Sequence, residues 1–410
     1  MTAFNYQNQE LYCEGVPLRE IAAAVGTPFY VYSESELLQR AAAFGTAVPH
    51  AHISYALKAN SNPVIIRLLG EAGLGADVTS GGELFLAQHA GIAAHKILYS
   101  GVGKTAVEIT AALEAGIRAL HVESEMELDV IAAIAAKRGA PAPIGVRVNP
   151  DIAVETHPYI STGLHAHKFG VTLDRALAML RRAAADPFLH PVGLAAHIGS
   201  QITAVAPFIE SAQFLVKQAN LLAAEGIRLE YLDVGGGLGI NYEGTDAPTQ
   251  AEWATAVSAP ILAAGYEVVM EPGRSIVGPA GALVTAVTYT KQQGDKTFVI
   301  SDAGMSDLIR PTLYKAYHPI LPVRASDAPP ITVDVVGPIC ETGDWLAKER
   351  PLPPMQPGDY LAILQAGAYG YAMSSNYNGR LRPAEVLVNE DKHHLIRQRQ
   401  RHAALLDGCL

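Results

Sequence analysis

Cysteine is scarce in this 410-residue chain: Cys13, Cys340 and Cys409 are the only three, far apart and without a CxxC pair. That distribution argues against a disulfide framework and against a thiolate zinc site, and no metal is expected. Positive charge is also short, with 30 Lys and Arg against 40 Asp and Glu and a formal net charge of -10. With no basic surplus to neutralise phosphates, a nucleic-acid partner is not expected. No apolar run reaches the ~20 residues of a membrane helix, and the opening MTAFNYQNQELYCEG has neither a basic start nor a signal-peptide core. The expectation is a cytoplasmic protein with no membrane partner. Aromatic residues make up only 7%, yet 49% of the chain is hydrophobic, too much for disorder, and the length points to two packed domains.

What is present is a repeated alternation. Eight β-rich segments follow one another: HISYALKAN (52–60), GADVTS (75–80), KILYSG (96–101), RALHVES (118–124), PIGVRVNP (143–150), GLAAHIGS (193–200), LEYLDVGGG (229–237) and EVVMEPGR (267–274). Between them, segments such as 83–89, 106–115, 125–137, 173–184, 207–225 and 249–264 carry apolar residues at helical spacing. Eight strand and helix alternations predict a (β/α)8 TIM-like barrel over residues 30–276. After Arg274 the stretches GALVTAVTYTKQQ, TFVISDAG, ITVDVVGPIC and DYLAILQAGAYG have strand composition broken by Pro and Gly. They predict a mostly antiparallel C-terminal β-domain, a sandwich or barrel, over 277–410 and completed by residues 1–29.

In such a barrel the chemistry sits at the C-terminal ends of the strands. Here those ends read Lys58-Ala59-Asn60, Asp77-Val78-Thr79-Ser80, His197-Ile198-Gly199-Ser200, Gly235-Gly236-Gly237 and Glu271-Pro272-Gly273-Arg274. Lys58 follows an apolar strand where water should be scarce, which favours a nucleophilic amine, although a lysine snorkelling from the barrel mouth reads the same way. The three glycines suit an anion held by backbone amides, or a plain turn. His197 fits a core histidine, a ligand or an aromatic platform. Glu271 and Arg274 fit a local ion pair or two groups aimed inward. Together, an amine, an anion cradle, an imidazole face and a carboxylate are what pyridoxal 5′-phosphate requires.

The motifs YALKAN, DVTSGGEL, HKFG, HIGSQ, GGGLG, EPGR, SDAGMSDLIRPTLYKAYHPI, CETGD and GAYGYAMSSNYN occur in family order and spacing. On them the chain resembles, over nearly its whole length, the diaminopimelate decarboxylases of the alanine-racemase-like (fold type III) class of pyridoxal-phosphate enzymes. The resemblance implies that Lys58 holds the cofactor as a Schiff base, that His197 lies against the ring and that Glu271 pairs with the pyridine nitrogen. It implies Ser200, Gly235, Gly236, Gly237, Gly273, Arg274 and Tyr369 around the phosphate, and Arg274, Arg310, Tyr314, Glu341 and Tyr369 around the substrate. Cys340 would protonate the carbanion. Decarboxylation of meso-2,6-diaminopimelate at its D-centre to L-lysine, the last step of lysine biosynthesis, is the implied reaction. A homodimer is implied too, because in the family the segment carrying Cys340 and Glu341 completes the neighbouring subunit's site.

Three rivals remain at this level. A carboxynorspermidine decarboxylase is disfavoured by Arg310 and Tyr314 in RPTLY, and a non-catalytic barrel by the presence of both Lys58 and Cys340. A Schiff-base aldolase barrel leaves the β-domain unused. His165, His167 and His318 lie near matched motifs without a role of their own.

Overall fold

The computed structural model describes residues 3–152, 168–244 and 247–410; His165 and His167 lie outside them. The chain folds as two compact units, one of Arg40–Ile240 and Asp246–Ser275, the other of Met1–Gln39, Asn241–Thr245 and Ile276–Leu410.

The first unit is a closed barrel of eight parallel strands: β1 (His52–Ala56), β2 (Gly75–Val78), β3 (Ile97–Tyr99), β4 (Ala119–Val122), β5 (Ala142–Arg147), β6 (Leu189–Ala195), β7 (Tyr231–Asp233) and β8 (Glu267–Met270). Closure comes from β8 against β1, with Val269 opposite His52 and Met270 opposite Ile53. All eight expected segments supply one strand each. A local signal explains how strand gives way to helix. Ser80, Thr105, Ser124 and Thr249 each accept a backbone N–H three residues on, from Glu83, Glu108, Glu127 and Glu252. At Thr105 and Thr249 the glutamate also reaches back to the cap amide, satisfying two orphan donors at once. The helices Ala106–Ala115 and Glu125–Arg138 stop at Gly116 and Gly139 in the left-handed region. Outside the strands, Trp253 is fully buried with Phe44 and Phe208 edge-on to its ring at centroid distances of 6.0 and 5.4 Å.

The second unit carries a nine-stranded, mostly antiparallel sheet. Its long strand Gly281–Gln293 pairs antiparallel with Lys296–Ser301, Tyr360–Ile363 and Phe29–Ser33. Phe29–Ser33 also runs parallel to Ala384–Asn389, so an N-terminal strand sits inside the sheet. For that reason residues 30–39 belong to this unit, although the sequence grouped them with the barrel. Phe4, Leu11, Cys13, Leu18 and Ile21 from the N-terminal segment pack with Val31, Val284, Ala362 and Val386 in one apolar core. Cys13 is thus a core thiol, whereas Cys340 and Cys409 are exposed.

Two glycines decide what fits inside the barrel. A Cβ on Gly193 would lie 2.3 Å from Cε2 and Cζ of Tyr231, and one on Gly145 would lie 2.8 Å from Cδ2 of His121. Tyr231 is fully buried and cannot swing aside into solvent. Gly193→Ala should therefore destabilise the barrel by about 1 to 3 kcal/mol or more. Thermal unfolding is the check: a melting temperature several degrees lower is expected, and an unchanged one would show that Tyr231 is not held as described.

Candidate active site

β1 ends in a single 3-10 turn, Leu57–Ala59, that brings Lys58 out of the strand. The turn is pinned from behind, since Tyr55 Oη donates to the Asn60 carbonyl (2.8 Å) and the Asn62 amide to Asn60 Oδ1 (3.0 Å). Lys58 Nζ lies 3.6 Å from Asp77 Oδ2, with the lysine side chain 40% exposed and the aspartate wholly buried. This corrects the expectation of a dry amine. Lys58 stands at an exposed strand end beside the Asp77 carboxyl, the snorkelling arrangement of the two readings. Burial pushes the Asp77 carboxyl up, and Lys58 opposes that shift.

His197, just beyond β6, accepts the Gly236 amide on Nδ1 at 3.2 Å. Its pKa is driven well below the usual value by burial and by the positive Arg147 and Lys58, so the ring is neutral with its proton on Nε2. A neutral imidazole held by one edge leaves its face available for stacking.

The glycine loop after β7 differs from the expectation of three amides for an anion. Gly235 donates to Asp233 Oδ1 (2.7 Å) and Gly236 to His197, so two of the three amides are spent on orienting side chains. Among the described residues, Gly237 keeps its amide undonated. The reason for glycine here is steric as well: a Cβ on Gly236 would meet the Glu271 carbonyl at 2.1 Å, and one on Gly237 the Gly199 carbonyl at 2.2 Å. Gly237 also sits at φ +104°, where a side chain is strained. Beside it, Arg274 Nη2 donates to Ser200 Oγ at 3.1 Å, and the arginine is buried. Gly273 packs against Ala56 and Ala59, where a Cβ would come within 3.2 and 3.0 Å of theirs. A backbone amide, a hydroxyl and a guanidinium on one rim form a donor set for a phosphate.

Inside the barrel lie three carboxylates: Asp77, Asp233 and Glu271. Burial raises all three above their ordinary values, and Asp233 and Asp77 push Glu271 further up. Asp233 accepts the Gly235 amide on Oδ1, and burial pushes its carboxyl up to about 7. His121 stands beside them, with Nδ1 at 3.9 Å from Asp233 Oδ2 and 3.8 Å from Glu271 Oε1. These separations exceed the ~3.3 to 3.6 Å edge of a tetrahedral shell with 2.0–2.2 Å bonds. Both ring nitrogens are also hydrogen-bonded, to Ser100 Oγ and Tyr231 Oη. His121 is thus held by hydrogen bonds to protein groups on both sides.

The remaining expected residues lie on the β unit. Arg310 opens the short helix Arg310–Tyr314. Its guanidinium is buried 5.2 Å from the Tyr242 ring centroid and 5.9 Å from that of Tyr314. Arg310 Nε donates to His318 Nε2 (3.3 Å), and His318 Nδ1 donates to the Leu364 carbonyl (3.0 Å). Neutral His318 therefore orients the arginine, a role that its place in YKAYHPI did not reveal. Cys340 and Glu341 are exposed on a loop. That loop is held by Asp344, which accepts the amides of Met305 and Ile339 at 2.6 Å each, and by Asn378, which accepts the Cys340 amide at 2.8 Å. Tyr369 is half-buried at φ +56°, a left-handed conformation uncommon for a non-glycine residue.

Sequence reasoning passed over Ser100, His121 and Asp233. The signal was present in a weak form, as single polar residues in otherwise apolar strands (LHV, YLD).

The donor set on the barrel fits pyridoxal 5′-phosphate: an amine, a neutral ring face, a phosphate cradle that side chains would fill, and a buried carboxylate. Residues 34–278 match the pyridoxal binding domain of the pyridoxal-dependent decarboxylases. A diaminopimelate decarboxylase from Aquifex aeolicus is 47% identical over 406 residues, covering 99% of this chain and 97% of the relative. The crystal structure of diaminopimelate decarboxylase from Helicobacter pylori complexed with L-lysine superimposes with a TM-score of 0.92 at 43% identity, covering 95% of this chain and 98% of that one. The enzyme of the same name from M. jannaschii, in co-complex with L-lysine, gives a TM-score of 0.95 at 36% identity, covering 100% and 99%. The chain belongs to the diaminopimelate decarboxylase family of pyridoxal-dependent decarboxylases.

Proposed function

We propose that this chain is a carboxy-lyase that converts meso-2,6-diaminopimelate to L-lysine and carbon dioxide, acting at the D-centre and forming the last step of lysine biosynthesis. The observation that carries the reading is the rim of Lys58, His197, Gly237, Ser200 and Arg274 above buried Glu271, in a chain 47% identical to a diaminopimelate decarboxylase over 99% of its length. Pyridoxal 5′-phosphate, when bound, supplies an electron-withdrawing ring joined through a carbon–nitrogen bond to an amine. Lys58 would provide the amine that holds the cofactor, with the Asp77 carboxyl 3.6 Å from its Nζ. His197 covers one ring face. The Gly237 amide, the Ser200 hydroxyl and Arg274 would hold the phosphate, the family resemblance assigns Tyr369 of the β unit to the same group, and Gly235, Gly236 and Gly273 keep side chains out of the cradle. Glu271 holds the proton on the ring nitrogen.

Substrate choice rests on the far end of the molecule, which has both a carboxylate and an ammonium. Arg310, fixed by His318 between Tyr242 and Tyr314, reads the carboxylate, and Glu341 reads the ammonium. The family resemblance adds Arg274 and Tyr369 to the substrate-binding residues. Cys340 delivers a proton to the carbon that has lost carbon dioxide. The exposure of Cys340 and Glu341 supports a homodimer in which each chain lends them to its partner. We place this enzyme in the cytoplasm, with small-molecule partners and no nucleic acid. Among the described residues, no helix is long and apolar enough to cross a membrane.

A substrate panel tests the activity. Meso-2,6-diaminopimelate should yield L-lysine, while L-lysine, L-ornithine and carboxynorspermidine remain unchanged; preferred turnover of any of those three would overturn the assignment.

Removing one partner of a buried charge pair costs about 2 to 5 kcal/mol, so Arg310→Ala should lower kcat/KM for meso-diaminopimelate by roughly 30-fold to several thousand-fold. Steady-state kinetics with unaltered kcat/KM would remove Arg310 as the reader of the far carboxylate.

The shared site has its own signature. When Lys58→Ala and Cys340→Ala subunits are mixed equally and exchanged at random, half the dimers are mixed. Each mixed dimer has one doubly damaged and one intact site, so about a quarter of all sites should recover activity. Decarboxylation no faster than the sum of the separate variants, with mixed dimers confirmed by differently tagged chains, would mean that Cys340 serves its own chain.

A further inference from the structure

We propose that Ser100 and His121, backed by Tyr231, are positioning residues for Glu271, forming a directed hydrogen-bond chain that holds this carboxylate as an acceptor for the cofactor's ring nitrogen. The inference rests on the reading of Glu271 as the ring-nitrogen partner and explains what keeps it in that state.

The chain runs through the barrel interior. Tyr231 Oη lies 2.8 Å from His121 Nε2, His121 Nδ1 lies 3.3 Å from Ser100 Oγ, and Ser100 Oγ lies 3.4 Å from Glu271 Oε1. A serine has one proton to give, so if it donates to Glu271 it must accept from His121. Electrostatics sets the same direction. Asp233 and Glu271 both face Nδ1, at 3.9 and 3.8 Å, where a proton on that nitrogen is attracted and a lone pair is repelled. The Nε2 lone pair is then left for the Tyr231 hydroxyl. His121 is 1% exposed, and burial, followed by the positive Lys104, Arg147 and Arg118, holds its pKa at about 3. Asp77, Lys58 and Arg147 are further charged surroundings of Glu271, the aspartate raising its pKa and the two cations lowering it. The imidazole is therefore a fixed relay of dipoles across neutral pH and not a proton carrier. Space for it is provided by Gly145 and Gly193, whose missing side chains would occupy the positions of His121 and Tyr231.

The experiment uses three readouts. The ¹⁵N resonance of ring-labelled pyridoxal 5′-phosphate in the loaded protein reports protonation of the ring nitrogen, equilibrium dialysis gives the cofactor Kd, and ¹⁵N-histidine spectra of the cofactor-free protein give the His121 tautomer. Ser100→Ala and His121→Leu should move the ring resonance toward the unprotonated value, in the direction of Glu271→Gln, and raise Kd about tenfold. His121→Asn, which keeps a donor near the Nδ1 position, should stay close to the parent protein. The tautomer should be Nδ1–H throughout pH 5 to 9. If Glu271→Gln moves the resonance and neither Ser100→Ala nor His121→Leu does, this inference falls while the functional reading stands. If Glu271→Gln leaves it unmoved, the reading of Glu271 and this inference fall together. An Nε2–H tautomer overturns the stated direction. Should His121→Leu not fold, Ser100→Ala carries the comparison alone.

Discussion

The barrel interior is organised around three buried carboxyl groups. Asp77, Asp233 and Glu271 are packed below a rim whose nearest amine, Lys58, pairs with only one of them. Burial raises all three carboxyls above their ordinary values, and Lys58, Arg147 and Arg118 oppose the shift. A protein selected only for stability would fill this space with apolar side chains. A cationic ring nitrogen placed against Glu271 would favour the charged form of that carboxyl. Neutral His121 and the Ser100 hydroxyl satisfy these groups without adding another charge.

Backbone sterics make that interior possible. Gly145 and Gly193 leave room for an imidazole and a phenol where strand side chains would otherwise meet. Gly236 and Gly237 let the β7 loop approach the neighbouring loops at distances that no other residue allows. The Gly235 amide holds Asp233 and the Gly236 amide holds His197, so the loop orients two groups as well as leaving the Gly237 amide for an anion.

The barrel was legible in the chain because its evidence is local. Apolar runs of strand length ended in polar residues, and apolar residues at helical spacing filled the segments between them. The β unit was legible in class and not in pairing. That Phe29–Ser33 lies between Gly281–Gln293 and Ala384–Asn389 depends on contacts more than 240 positions apart, which leave no trace in local pattern. At the site, residue types were readable and environments were not. Lys58 was expected to be dry because its own strand is apolar, yet its surroundings are set by Asp77 on the next strand and by an open rim. His318 and Asp344 act by orienting Arg310 and the Cys340 loop, and nothing near them in sequence distinguishes a positioning residue from an ordinary buried polar one.

The claim on which the rest depends is that Lys58 carries the cofactor above this carboxylate cluster. Borohydride reduction of the pyridoxal 5′-phosphate-loaded protein, followed by peptide mapping, tests it most directly. The account predicts a single pyridoxyl-modified residue, Lys58. Modification at another lysine such as Lys104 or Lys168, or none after loading, would contradict it.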